Sequence, residues 1–156
     1  MFMRLPAWLI IISVALCLGV LPARAEKRVA LVIGNAAYRD APLKNPVNDA
    51  RAMAAKLKDI GFRVVQRENT TKLEMERAVA DFGDLLDADT VGLVFYAGHG
   101  LQIDGRNYLV PIDARIASQT RVRLEAVDVD VLLEQMGAAG SRVNIVILDA
   151  CRNNPF

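Results

Sequence analysis

The sequence predicts a single α/β domain with a mostly parallel sheet and helices on both faces, a three-layer sandwich. Strand-length apolar runs rich in β-branched residues recur along the chain, and segments with apolar residues at helical spacing separate them. The 156 residues suffice for one domain, and no repeat or linker divides them. A formal net charge of +1 argues against a nucleic-acid-binding surface that depends on bulk charge.

The first strand, helix and second strand follow in order. Residues 28–34 form a buried apolar strand that ends at a glycine. Asn45 and Pro46 predict a helix start, with Asn45 as the N-cap, and the helical pattern continues until Gly61. Residues 62–67 are shorter and more polar, which is typical of an outer strand.

The middle of the chain contains a second helix, a third strand and a hairpin. Thr71 and Glu74 form a capping box that opens the helix. Residues 90–97 are a buried strand that stops just before a histidine flanked by glycines. Residues 101–110 alternate in polarity around an Asp-Gly pair, which predicts a β-hairpin.

The last third predicts one helix and one strand. No element is predicted for residues 111–125. Asp128 is the expected cap of a helix that runs to about Ala139, and the last strand begins at Val143 and leads to Cys151. The helix residues expected to face inward are Val131, Leu132 and Met136.

The N-terminal segment has the pattern of a secretory signal peptide. Arg4 precedes an apolar run over residues 5–21, and small residues in an Ala-x-Ala arrangement end at Ala25. We therefore expect a signal peptide over residues 1–25 and a mature protein that is periplasmic or extracellular, without stable membrane association after cleavage. The alternative is an uncleaved membrane anchor. Lipid attachment at Cys17 is not expected, because the bulky Leu16 precedes it.

Cleavage would leave one cysteine, Cys151, in a compartment where disulfides form. An odd cysteine is either a free reactive thiol or half of an intermolecular bridge. The polar residues around Cys151 favour the reactive thiol over a buried core thiol.

His99 and Cys151 each follow the end of a predicted buried strand. The carboxyl ends of parallel strands lie at one edge of a sheet, and a right-handed crossover joins neighbouring strands. We therefore expect the imidazole and the thiol to face each other as a base and a nucleophile. The alternative for His99 is an exposed turn residue.

Gly100 follows the histidine directly. Its lack of a side chain would let its backbone N–H form an oxyanion hole with the N–H of Cys151. The alternative is that Gly98 and Gly100 only permit a tight turn, and both explanations can hold together.

Four motifs together resemble the large-subunit domain of caspase-like cysteine peptidases, the bacterial metacaspase type in particular. They are Leu31-Val32-Ile33-Gly34-Asn35, Asn48-Asp49-Ala50, Tyr96-Ala97-Gly98-His99-Gly100 and Asp149-Ala150-Cys151-Arg152-Asn153-Asn154-Pro155. The resemblance extends over residues 27–156 and implies a caspase–haemoglobinase fold. It also implies hydrolysis of peptide bonds through a thioester, with His99 and Cys151 as the catalytic dyad and Gly100 and Cys151 as oxyanion donors.

The same resemblance implies a substrate preference. Metacaspase-type relatives receive arginine or lysine with acidic residues, and the matching positions are Asp49 and Asp149. Two carboxylates suit a guanidinium, so we expect cleavage after Arg or Lys. The alternatives are a first-turn acid that favours the helix dipole for Asp49 and a strand-end hydrogen-bonding residue for Asp149.

No cofactor and no metal site are predicted. Some metacaspases need calcium, and Asp113, Asp128 and Asp130 are possible oxygen ligands, but they form no compact calcium-binding motif. The first strand's turn has no Gly-x-Gly-x-x-Gly pattern, which argues against a flavodoxin-like nucleotide-binding domain.

The family pattern continues beyond the nucleophile into small-subunit strands, whereas this sequence stops at Phe156. We therefore expect a catalytic domain over residues 26–156 that is truncated at its C-terminus and acts on protein or peptide substrates. The last strand would then be an exposed edge. The alternative is that a partner chain supplies the missing strands. A second hypothesis follows: a non-catalytic interaction module that pairs through this edge. The strand alternates Val143, Ile145 and Ile147 with Val146 and Leu148.

Overall fold

The computed structural model describes residues 26–150; the predicted signal peptide and Cys151 lie outside the described residues. In chain order, the elements are β1 (Lys27–Gly34), α1 (Pro46–Asp59), β2 (Arg63–Glu68), α2 (Lys72–Gly83), β3 (Thr90–Gly98), β4 (Gly100–Ile103), β5 (Arg106–Leu109), α3 (Gln119–Glu125), β6 (Val127–Asp128), α4 (Val129–Ala138) and β7 (Val143–Ala150). Over the described range, no helix combines the length and the apolar character needed to cross a membrane.

The central sheet has four parallel strands in the order β2-β1-β3-β7. Strand β2 is an outer strand, as its polar sequence predicts. Strand β7 lies directly beside β3, so the crossover brings the last strand next to the one that precedes His99. A small antiparallel sheet in the order β4-β5-β6 extends the chain after β3.

Helices cover both faces of the central sheet, which confirms the predicted three-layer α/β architecture. On one face, α1 packs its alanines and Leu57 against small and apolar strand residues. On the other face, α2 and α4 pack against the bulkier side chains of β1 and β3. The largest fully buried side chains on this second face include Leu31, Ile33, Phe82, Tyr96, Leu132 and Met136.

The predicted helix starts are partly confirmed. Thr71 and Glu74 form the reciprocal capping box at the start of α2, and the Asp128 carboxylate accepts a hydrogen bond from the Asp130 N–H at the start of α4. Asn45 occupies the N-cap position of α1 but makes no side-chain cap. Its backbone is helical (φ −103°, ψ −27°), whereas a capping side chain is normally carried by an extended residue.

Two predictions in the last third need correction. Val131 is 52% exposed, and Val129 takes its place beside the buried Leu132 and Met136. Residues 129, 132 and 136 lie on one helical face, while residue 131 lies about 100° around the axis from its neighbour. Helix α3 forms where no element was predicted. The sequence did not reveal it because Val122 is its single buried residue and one residue gives no apolar stripe.

The hairpin is confirmed, and its turn has a simple cause. Asp104 and Gly105 form the two-residue loop between β4 and β5, with φ values of +51° and +80°. Positive φ at both central residues is characteristic of the type I′ turn, which Asp-Gly favours.

Among the described strands, β7 lies at an edge of the central sheet. Its residues alternate as predicted: Val146, Leu148 and Ala150 pack on the core that α2 and α4 cover. On the opposite face Val143, Ile145 and Ile147 are 43%, 37% and 39% exposed, because α1 packs on β1 and β3 rather than on β7.

Candidate functional site

Three parallel strands end together at the carboxyl edge of the sheet. Gly34 of β1 pairs with Ala97 of β3, and Gly98 pairs with Ala150 of β7. The loops that follow these strands therefore begin side by side, which is where open α/β sheets bind their ligands.

His99 lies in the gap between β3 and β4, half-buried at this edge. Its Nε2 atom is 2.7 Å from the carbonyl oxygen of Ala41, in the loop after β1. Because a carbonyl oxygen can only accept a hydrogen bond, Nε2 carries the hydrogen of the neutral imidazole. Nδ1 is then the nitrogen that can take up a proton.

Two tyrosines hold the backbone of His99. Its N–H donates to the Tyr38 hydroxyl at 2.9 Å, and the Tyr96 hydroxyl donates to its carbonyl oxygen at 2.8 Å. Burial raises the pKa of Tyr38 and raises that of Tyr96 more strongly, so both hydroxyls keep their hydrogens at physiological pH.

An open cleft of about 550 Å³ lies beside His99. Its walls come from the start of α1, the end of β3 and the end of β7. Asp49 and Asp149 both line it with His99, so three of the residues predicted to be functional meet at one site. Lys44 adds a cation to the same wall.

The two aspartates reach the cleft from different elements on the same side of the sheet. Asp49 is exposed in the first turn of α1. Asp149 is exposed and pairs with Ala97, whose side chain belongs to the core beneath α1. Paired residues on neighbouring strands share a face, so the Asp149 side chain lies on the α1 side.

Gly100 opens β4 opposite Leu109 of β5. The Val110 N–H donates to the His99 carbonyl at 3.0 Å, which is the hydrogen bond that brackets a non-hydrogen-bonded antiparallel pair. The Gly100 N–H therefore points away from β5. It is therefore outside the β4–β5 hydrogen-bond ladder, beside the histidine.

The aspartates considered as calcium ligands have other partners. Arg106 contacts Asp128 at 2.8 Å and Asp130 at 3.1 Å, and Asp113 accepts the Lys72 N–H at 2.9 Å at the start of α2. In residues 26–150, no group of three or more His, Cys, Asp or Glu side chains is arranged to hold a metal ion.

Sequence reasoning missed the residues that support His99. Tyr38 is the one buried aromatic residue in a largely exposed loop, and Tyr96 lies three residues before the histidine. An aromatic residue in a polar loop was the available signal for Tyr38. The contact with the Ala41 carbonyl could not be predicted from residue identity, since every residue has a backbone carbonyl.

The fold is a parallel sheet covered by helices, and a histidine and two carboxylates line an open cleft at its carboxyl edge, where α/β proteins bind their ligands. Residues 27–156 match the model of the caspase domain, peptidase family C14. The chain therefore belongs to the caspase-domain family of peptidases, which confirms the resemblance to caspase-like cysteine peptidases.

Curated relatives agree with this assignment. The mucosa-associated lymphoid tissue lymphoma translocation protein 1 of Homo sapiens is 36% identical over 129 residues, which are 82% of this chain and 15% of that protein. Its homolog of Mus musculus matches with the same identity and coverage. The chain thus spans about 15% of the length of these curated relatives.

A solved structure shares the fold. The crystal structure of a protein from Geobacter sulfurreducens superimposes with a TM-score of 0.63 at 23% identity. The match covers 80% of this chain and 50% of that chain. At this identity the likeness extends to the fold alone.

Proposed function

We propose that this domain is a cysteine endopeptidase that uses His99 and Cys151 and cleaves after Arg or Lys. The observation that carries the proposal is the cleft at the carboxyl edge of the sheet, where His99, Asp49 and Asp149 meet. With a signal peptide predicted over residues 1–25, the substrates would be proteins or peptides outside the cytoplasm.

The order of the chain supports the dyad. Gly98 and Ala150 are paired across β3 and β7, and in the sequence His99 and Cys151 directly follow them. In the proposed reaction, Nδ1 of His99 takes the proton of the Cys151 thiol, and the thiolate sulfur attacks the carbonyl carbon of the substrate. His99 then gives the proton to the leaving amine as the C–N bond breaks, and water hydrolyses the thioester.

Backbone donors complete the chemistry. The Gly100 N–H, which points away from β5, and the Cys151 N–H would stabilise the oxyanion that forms when the sulfur adds to the carbonyl. These steps need a thiol, an imidazole and two peptide N–H groups, so the proposal includes no cofactor.

The proposed preference for Arg or Lys rests on charge. Asp49 and Asp149 are exposed carboxylates on one side of the cleft. A guanidinium can donate charge-assisted hydrogen bonds to two carboxylates, and an ammonium can pair with them as a point charge. Lys44 in the same wall would repel a substrate cation. The negative charges of both Asp49 and Asp149 would therefore be needed to bind it.

The activity is tested with the full chain and an arginine-based electrophilic peptide, with intact mass as the readout for modification of Cys151. Rapid labelling in the wild type and its loss in His99→Ala support the dyad. Cys151→Ala controls for reaction elsewhere in the chain. Labelling at the rate of a simple thiol in both wild type and His99→Ala rejects autonomous peptidase activity.

The substrate preference has its own matched control. Asp49→Asn and Asp149→Asn should each lower kcat/KM for an arginyl peptide roughly tenfold to a hundredfold, because each removes a charged hydrogen-bond partner. Asp59→Asn, at the far end of α1, should leave kcat/KM unchanged. Equal losses in all three variants would reject the proposed roles of Asp49 and Asp149.

The exposed edge of β7 favours a second candidate function, an interaction module that pairs with a partner carrying the complementary strands. Ile145→Lys would place a charge on the exposed face, whereas Leu133→Lys places one on an exposed site of α4. Two results together would support this function: a Cys151 thiol that is not labelled faster than a simple thiol, and an association, measured by sedimentation, that Ile145→Lys abolishes and Leu133→Lys does not. Association that both variants retain would reject it.

A further inference from the structure

The main chain of His99 is fixed by tyrosine hydroxyls rather than by the sheet alone. Tyr38 accepts its N–H at 2.9 Å, and Tyr96 donates to its carbonyl at 2.8 Å. The same carbonyl accepts the Val110 N–H at 3.0 Å. Both polar groups of the His99 backbone therefore have defined partners at the point where β3 ends and β4 begins.

The two hydroxyls form a consistent hydrogen-bond network. They lie 3.1 Å apart, and each is 3.0 Å from the carbonyl oxygen of Val110. If Tyr96 donates to His99, Tyr38 can donate to Val110, which also accepts from the Asn35 amide at 3.3 Å. Every hydroxyl hydrogen then has an acceptor, as buried polar groups require.

Tyr38 also contacts the imidazole itself. The two ring centroids are 4.4 Å apart and the ring planes are inclined at 54°. Tyr38 belongs to the same loop as Ala41, whose carbonyl binds Nε2 of His99. This loop thus constrains the histidine at its backbone, its ring face and its distal nitrogen.

The loop is itself anchored to the core. The Asn69 side-chain oxygen accepts the N–H groups of Ala36 and Ala37 at 2.9 and 3.0 Å. The buried Asn35 side-chain oxygen accepts the Thr70 N–H at 2.9 Å. The loop therefore begins from a rigid base on the turn after β2.

We propose that Tyr38 and Tyr96 are positioning residues that hold His99 in the orientation and tautomer its role as a base requires. The proposal rests on the proposed function, in which His99 moves the proton. Tyr38 acts on backbone and ring together, and Tyr96 acts on the backbone carbonyl.

The test compares Tyr38→Phe and Tyr96→Phe with Tyr108→Phe. The chain has three tyrosines, and Tyr108 is also buried, at 3% exposure, in a separate core cluster. His99 is the only histidine, so its imidazole resonances are assigned without ambiguity. Each full-length variant is examined by NMR of the imidazole and by peptide cleavage.

Tyr38→Phe and Tyr96→Phe should shift the imidazole resonances and reduce the Nε2–H tautomer. They should also lower kcat roughly tenfold to a hundredfold with little change in KM, because a misplaced base slows the chemical step rather than binding. Tyr108→Phe should change neither. Imidazole resonances that match the Tyr108→Phe control would overturn the positioning role.

The two proposals fail in distinguishable ways. A wild-type chain that cleaves no peptide, but whose imidazole responds to Tyr38→Phe and Tyr96→Phe and not to Tyr108→Phe, supports positioning and rejects the peptidase. A chain that cleaves, with an imidazole indifferent to Tyr38→Phe, rejects positioning alone.

A measurement on the wild type decides the matter if the variants do not fold. The His99 amide hydrogen should exchange as slowly as the amides in the core of β3, because its acceptor is the buried Tyr38 hydroxyl. Exchange at the rate of an exposed loop amide would overturn the proposal.

Discussion

The carbonyl oxygen of Ala41 lies 2.7 Å from Nε2 of His99, and this contact assigns the roles of the two ring nitrogens. Nε2 donates its hydrogen to the Ala41 carbonyl. Because this acceptor belongs to the backbone, no side-chain substitution removes it. The nitrogen that remains for proton transfer is Nδ1. This arrangement is the one that the proposed role of His99 as a base requires.

The first prediction concerns this tautomer. In the neutral state, His99 should be predominantly the Nε2–H form, because that form alone satisfies the Ala41 carbonyl. Nitrogen-15 NMR of the neutral imidazole measures the ratio of the two tautomers directly. An excess of the Nδ1–H form would contradict the assigned roles.

Gly98 provides a stability prediction. A Cβ on this residue would lie 2.6 Å from the Tyr38 and the Tyr96 hydroxyl oxygens. Gly98→Ala should therefore lower the free energy of unfolding by about 1–3 kcal/mol through overpacking. Gly98→Ala should also perturb the His99 resonances, since the same hydroxyls bind that residue.

Gly137→Ala is the matched control. This glycine lies in the last turn of α4, and apart from the adjacent helix backbone a Cβ there would meet no atom within 4 Å. The substitution should raise the free energy of unfolding by about 0.5–1 kcal/mol, because alanine favours the helix more than glycine does. Urea unfolding measures both variants, and equal stability of the two would contradict the packing argument at Gly98.

The architecture follows from patterns in the sequence, because burial of apolar runs and capping chemistry act locally. Thr71 with Glu74 and Asp128 mark helix starts that the structure reproduces. Asn45 has the right identity for a cap but a helical backbone, so identity alone was insufficient. Val131 was assigned to the wrong face because Val129 and Val131 lie two residues apart, so the sequence does not decide which of them faces inward until the helix packs against the sheet.

Part of the candidate site could also be predicted from the sequence, and part could not. Parallel topology predicted His99 at the carboxyl edge of the sheet. The family resemblance predicted Asp49 and Asp149 at the same pocket, and all three line one cleft. The support from Tyr38 and the Ala41 carbonyl depends on how the loop after β1 folds back. No sequence periodicity encodes that path, so these contacts required the structure.

The corrected face of α4 gives a further prediction. Leu132 is 1% exposed in the core between α2 and the sheet, whereas Val131 is 52% exposed. Leu132→Ala should lower the free energy of unfolding by about 2–5 kcal/mol, through lost burial and the cavity it leaves. Val131→Ala should change it by less than about 1 kcal/mol. Urea unfolding that ranks the two variants in the opposite order would contradict the assigned helix face.

The last prediction concerns acid stability at the opposite edge of the sheet. The pKa of the Asp87 carboxyl is lowered from 3.8 to about 2, first by the hydrogen bond from Lys27 Nζ at 2.6 Å and then by that from the Thr90 hydroxyl at 2.7 Å. A folded-state pKa below the unfolded value means that folding favours the ionised form. This contribution is therefore complete above the unfolded pKa of 3.8 and is lost as the pH falls through about 2.

Asp87→Asn should accordingly lower Tm at pH 7, and the difference from the wild type should shrink as the pH falls from about 4 to about 2. High salt should also reduce the difference, because Lys27 and Asp87 are both about half exposed. Thermal unfolding of the wild type, Asp87→Asn and the surface control Asp59→Asn across this range provides the measurement. A Tm difference that persists unchanged below pH 2, or that Asp59→Asn reproduces, would show that the Asp87 carboxylate does not stabilise the fold through ionisation.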